Sequence, residues 1–185
     1  MLSRFHHVTM TFIVVSIAYF LASFVALGVL APLYEPYKAD IPPYVNLVFL
    51  PHGVRVLAAW LLGWRAIPYL YPSTYLCTLI FVEPTGLFGE AVIGPMIGLV
   101  ATVFIFWVAK KLRPDLREAL DGPANWRDVM LIGCIASVVN MTMIALGTGD
   151  WNLGIVGIFF GDVTGMIACM VVLMIAFKAI RGPQS

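Results

Sequence analysis

Five polar side chains stand out in a chain that is otherwise almost wholly apolar: His52, Arg55, Glu90, Asn140 and Asp162. His52 and Arg55 lie three residues apart in the run NLVFLPHGVRVLAAWLLGW (46–64), so on a helix they share one face. An imidazole, a guanidinium, two carboxylates and an amide can pair with one another, or they can hold a small anion or a vitamin-sized polar ligand. The setting makes this set conspicuous. An arginine at the centre of a membrane helix costs roughly 2.5 to 3.5 kcal/mol or more, so something must offset Arg55.

That setting follows from composition. Of 185 residues 61% are hydrophobic and 11% charged, and the mean hydropathy is +0.95. An ordinary soluble domain carries roughly 25% charged residues, so the chain reads as an integral membrane protein whose principal partner is the lipid bilayer. The length suits one domain, 1–185, and an output or coupling domain is expected to be a separate protein. A net charge of +1 offers no basic surface for nucleic acid.

Six apolar runs order the chain, at about 8–33, 45–63, 66–82, 86–109, 128–147 and 152–177. Most approach the roughly 20 residues that a helix needs to cross the hydrocarbon, and none alternates like a barrel strand, which predicts an all-α bundle of six transmembrane helices. The run at 66–82, with Pro68 and Pro72, is the shortest, and a bent or partly re-entrant course is open there. With six spans, nine of the eleven lysines and arginines fall on one side and only Lys38 on the other, Arg55 being intramembrane. The positive-inside rule then puts both termini in the cytoplasm of a bacterial inner membrane. The apolar stretch after Arg4 is too long for a cleaved signal and reads as an uncleaved anchor.

The loops are short. Residues 110–128 form the one sizeable cytoplasmic loop, whose Pro114 and Gly122-Pro123 suggest a short interfacial helix ending in a turn. Cys77, Cys134 and Cys169 fall inside spans without CxxC spacing and read as packing residues. There is no phosphate loop, metal-ligand pair or nucleophile elbow, so neither a cofactor nor enzymatic chemistry is expected.

Depth brings the polar residues together. Arg55 lies about ten residues into the second span and Asp162 about ten into the sixth, which at 1.5 Å per residue puts both roughly 15 Å from the outer surface. Glu90, His52 and Asn140 fall in the same outer half. A direct Arg55–Asp162 pair is therefore expected, with Pro51 and Gly53 kinking or breaking the helix beside it. Such a pair would also serve if its only role were to fix helix register.

Small residues mark close contacts: Ala18, Ala22 and Ala26 in the first span, Gly94 and Gly98 in the fourth, and Gly157, Gly161 and Gly165 in the sixth. These stripes suit helix packing within the bundle or against a partner protein.

The stretch FLPHGVRVLAAWLLGWRAIP (49–68) resembles the W-P-x-x-G-(I/V)-x-x-A-x-L-L-x-G signature of MASE-type bacterial membrane-associated sensor domains, through Pro51, Gly53, Ala58, Leu61, Leu62 and Gly63. FFGDVTG (159–165) is similar to the family's W-x-G-D-x-x-G motif through Gly161, Asp162 and Gly165. The resemblance covers about a fifth of the chain and implies a sensor for a ligand or partner, acting on a separate cyclase, phosphodiesterase or kinase module. The family's tryptophans are absent here, Arg55 stands at a usually apolar position, and family members have about eight spans. The six-helix architecture and the Ala18/Ala22/Ala26 stripe also look like the substrate-binding component of energy-coupling-factor vitamin transporters, in which such a stripe meets the coupling subunit. An accessory subunit of a larger membrane complex is the third reading.

Overall fold

The computed structural model describes residues 2–34, 36, 46–81, 88–112, 126–148, 151 and 153–181, with the side chains of 2–5, 88–95, 148, 153, 155, 180 and 181 outside that description. The described residues are helical almost throughout and contain no strand. Helix α1 (Leu2–Ser23) continues through a π-helical stretch, Phe24–Leu30, into α2 (Ala31–Tyr34). Then follow α3 (Leu50–Leu62), α4 (Ala66–Phe81), α5 (Phe88–Leu112), α6 (Trp126–Thr148) and α7 (Leu153–Arg181). Three continuous segments, His6–Tyr34, Trp126–Gly147 and Val156–Ala179, are long and apolar enough to cross a membrane.

The side chains are sorted inside out. Ser23, His52, Arg55, Ser73, Thr74, Thr102, Ser137, Asn140 and Asp162 are all buried, whereas Val14, Leu33, Leu61, Leu131, Leu146, Val172, Met174 and Phe177 are among many large apolar groups facing outward. Water would penalise both features, but lipid favours them, because a polar group in hydrocarbon must find its partners within the bundle. Ser73 and Thr102 do so locally, donating to the carbonyls of Leu70 and Gly98.

The shortest full helix is the central one. α3 packs against α1, α4, α5, α6 and α7, while α1 and α7 do not touch each other among the described residues, so α3 fills the gap between them. Its Pro51, His52, Gly53, Arg55, Val56, Ala58 and Ala59 are buried. Pro51 sits in the first turn, where its missing N–H removes no helical bond, so the expected break at this proline is realised as a helix start. Gly63, with φ of +56°, ends α3 in a backbone conformation that L side chains rarely adopt, and Gly63–Arg65 turns the chain into α4. Pro72 is accommodated within the 16-residue α4, which runs as one helix from Ala66 to Phe81.

Ahead of α3, residues 46–49 are not helical, which shortens the expected second run. This segment lies directly on α7: the Phe49 N–H donates to the Gly161 carbonyl at 2.8 Å, and the Thr164 hydroxyl donates to the Leu47 carbonyl. A Cβ on Gly161 would overlap the Asn46 carbonyl oxygen, and one on Gly165 would overlap the Phe49 carbonyl. The Gly161/Gly165 pair thus receives the chain's own non-helical backbone, not another helix. One turn further along, Gly53 makes a true helix contact, since a Cβ there would come within 2.5 Å of the Cys169 Cβ.

The remaining small residues divide. Ala18 is exposed, Ala22 half-buried and Ala26 fully buried, so their stripe turns from the outer surface into the bundle. Gly157 is half-buried. Gly94 lies on α5 among the residues whose surroundings are outside the description. The 113–125 stretch, where the interfacial helix is expected, lies outside the described residues.

Gly161→Ala should destabilise the protein strongly, at or above the roughly 1 to 3 kcal/mol of an overpacked core, because backbone must move to admit the methyl group. Gly147→Ala, at a site with nothing within 4 Å, should be neutral or slightly stabilising. Unfolding in detergent checks the contrast, and equal behaviour of the two variants would contradict the seating of residues 46–49.

Candidate functional site

The first turn of α3 carries His52 and Arg55 into the centre of the bundle, where α1, α5, α6 and α7 meet them. Arg55 does not reach Asp162 within 4 Å, and this corrects the expected direct pair. Its Nη2 donates to the Tyr19 hydroxyl of α1 at 2.7 Å, and its guanidinium carbon lies 5.5 Å from the ring centroids of both Tyr19 and Phe49. A charge-assisted hydrogen bond and two aromatic faces therefore offset much of the cost of burying this cation. Its Nε has no hydrogen-bond partner among the described residues.

Asp162 belongs to a different set of contacts. The Asn140 amide donates from Nδ2 to Asp162 Oδ2 at 3.2 Å, and His52 Nδ1 lies 3.6 Å from the same oxygen. On its other side the His52 ring presents Nε2 to the Ser137 hydroxyl at 2.9 Å and to the Gly133 carbonyl at 3.4 Å. A neutral imidazole with its proton on Nδ1 accepts from Ser137, whereas an imidazolium donates to the carboxylate and to α6 together.

Asn140 and Arg55 approach each other at Gly98. A Cβ on Gly98 would come within 2.8 Å of Arg55 Nη1 and 3.0 Å of Asn140 Oδ1. The amide therefore turns its donor to the carboxylate and its acceptor towards the side occupied by the guanidinium. Gly98 on α5 leaves room here for polar groups of α3 and α6. The cluster has two arms, Tyr19–Arg55 and Asn140–Asp162–His52–Ser137, which approach each other at Gly98; it draws on four helices, and every member is buried.

Of the five residues singled out in the sequence, His52, Arg55, Asn140 and Asp162 thus converge. Glu90 lies on α5, and its side chain is outside the description. Tyr19 and Ser137 are the members that sequence reasoning missed. Both had a signal: Tyr19 and Ser23 are two polar residues one turn apart in an apolar span, and Ser137 precedes Asn140 by three on the same face.

The order Ser137, His52, Asp162 matches the residue types of an acyl-transfer triad, but the surroundings suit a different role. Ser137 lies in mid-helix and fully buried, where neighbouring N–H groups are committed to the helix and cannot form an oxyanion hole. What the arrangement can do is hold a charge of each sign apart, with a movable hydrogen-bond chain between them.

Tyr19→Phe keeps the ring and removes the acceptor, so it should cost about 1.5 to 3 kcal/mol, the range for a hydrogen bond to a charged group. That cost should vanish in an Arg55→Leu background and persist in an Asp162→Leu background. A double-mutant cycle measured by unfolding in detergent checks this, and an undiminished Tyr19→Phe penalty without Arg55 would contradict the contact.

Compared with known proteins, the chain matches no family model, no curated protein and no solved structure.

Proposed function

We propose that this chain is a multi-pass protein of a bacterial inner membrane that senses a small ligand or a protein partner through the Arg55–Asn140–Asp162–His52 cluster. The observation that carries the reading is the separation of the charges. A pair retained only to fix helix register would close directly, whereas Arg55 and Asp162 are each held by neutral partners, and Arg55 Nε and His52 Nδ1 keep hydrogen-bonding capacity among the described residues. Intramembrane ionisable groups arranged in this way mark functional sites.

Six spans with cytoplasmic termini are part of the proposal. α3 is about 20 Å long at 13 residues, and the non-helical 46–49 stretch adds at most roughly 13 Å, which brings the pair towards the thickness of the hydrocarbon core. Non-helical backbone at that depth is tolerated where protein covers it, as α7 does here. Further support comes from charge. Among the described residues every lysine and arginine except Arg55 lies towards the end of the bundle that holds the Gly63–Arg65 turn, as a cytoplasmic face requires.

The sensor reading gains from the packing of the two stretches that resemble MASE-type domains. Phe49 of the first donates to the Gly161 carbonyl of the second, Phe49 and Leu50 lie on Gly165, and the Asp162 between those glycines faces His52 of the first. The two stretches thus pack against each other.

Two measurements test the proposal. Reporter fusions after residues 111 and 181 should read cytoplasmic, and those after residues 38 and 150 periplasmic; a cytoplasmic signal at 150 would remove the six-span topology. Small carboxylates, phosphate and vitamins screened against the purified protein should include one that raises its thermal stability, by about 2.7 kcal/mol at a hundredfold excess over Kd. Asn140→Ala should abolish that shift. Stabilisation by none of them, with co-purification of a kinase or cyclase, would favour partner sensing, and co-purification of a coupling ATPase pair would favour transport.

A further inference from the structure

The Gly63–Arg65 turn and the last turns of α5 form a surface that neither the bundle core nor the polar cluster uses. Trp64 and Trp107 meet edge to face with ring centroids 6.2 Å apart, Phe104 stacks on Trp107 at 5.9 Å, and Lys111 Nζ lies 4.5 Å from the Trp107 centroid. Lys110, one residue earlier, turns inward and donates to the Trp60 carbonyl in the last turn of α3 at 2.8 Å, fixing α5 against the turn. Arg65 and Lys111 remain exposed, and neither has an acidic partner within 4 Å among the described residues. The two tryptophans are themselves 47% and 39% exposed.

We propose that this surface binds the headgroup phosphate of an acidic membrane phospholipid, with Arg65 and Lys111 on the phosphate and an acyl chain along Trp64, Trp107 and Phe104. Charge complementarity selects an anion: two cations without carboxylate partners among the described residues stand on adjoining elements. The aromatic wall selects a lipid over a soluble anion, because amphipathic indole rings sit at the level where headgroups meet hydrocarbon. Arg65 offers the planar donor fork that suits phosphate, and Lys111 is held in place over the Trp107 face, so less side-chain freedom is lost on binding. The proposal requires only that the chain is embedded in a bilayer. It is independent of any ligand at the Arg55–Asp162 cluster.

The test uses the full chain in nanodiscs of phosphatidylcholine mixed with phosphatidylglycerol, with retained lipid counted by native mass spectrometry after release. The protein should retain phosphatidylglycerol in preference to phosphatidylcholine. R65Q/K111Q should weaken that retention by roughly thirtyfold, about fivefold for each charge lost near the surface. R127Q/K178Q removes the same charge from the same end of the bundle and should leave retention nearly unchanged. Thermal melting of both double variants, at the wild-type temperature, establishes that they are folded. Equal loss from the two double variants would reduce the effect to general attraction by a cationic end and overturn the site, as would absence of any lipid preference. Displacement of the lipid by millimolar inorganic phosphate would also overturn it, by assigning the two cations to a soluble anion.

Discussion

Two missing side-chain carbons on α7 govern the arrangement of everything around them. Because Gly161 and Gly165 lack a Cβ, residues 46–49 can press their backbone directly against the helix, with the Phe49 N–H satisfied by the Gly161 carbonyl. A helix packed side chain to side chain would stand 8 to 10 Å away. The close seating lets α3 begin deep inside the bundle, so that His52 and Arg55, in its first two turns, are met by α1, α5, α6 and α7. The same turn of α7 supplies Asp162, between the two glycines. Close approach and the facing carboxylate are therefore delivered by one five-residue stretch, GDVTG.

Burial of both charges in such a place would be unfavourable without a way to spread them. The structure does so with neutral groups: a phenol for the guanidinium, an amide and an imidazole for the carboxylate, and a serine hydroxyl beyond the imidazole. Each charge interacts mainly with dipoles, and Asn140 can serve both because an amide carries a donor and an acceptor on one carbon. The result is a network whose strength depends on every member. A half-satisfied network is costly in a low dielectric, so the loss of one member would be felt by the others.

The two ends of the bundle are built for different neighbours. At the level of the polar cluster, hydrogen-bonding groups turn inward and apolar ones face the surroundings. At the turn end, tryptophans and cations point outward together, and Lys110 is drawn in to the end of α3. The proposed sensing cluster and the proposed lipid surface are connected by the 13 residues of α3, which has His52 and Arg55 in its first turns and Trp60 in its last. A shift of this central helix would be felt at both.

Much of this was legible in the sequence, for simple reasons. Helices and their approximate limits follow from apolar runs and prolines, since lipid leaves the backbone few alternatives. His52, Arg55, Asn140 and Asp162 announce themselves because a polar residue inside such a run has to be buried with others. Their grouping by depth needs only the rise of a helix. Depth alone does not give azimuth, however, and azimuth decides partners: Arg55 at Asp162's level still points to Tyr19 on α1, and Gly98 opens the space that lets Asn140 stand between the charges. The glycine stripe was equally visible, but its occupant was not, because a repeat of small residues specifies only that something comes close. That the something is the chain's own non-helical segment, seated there so that α3 starts where it does, was decided by how the helices close around one another.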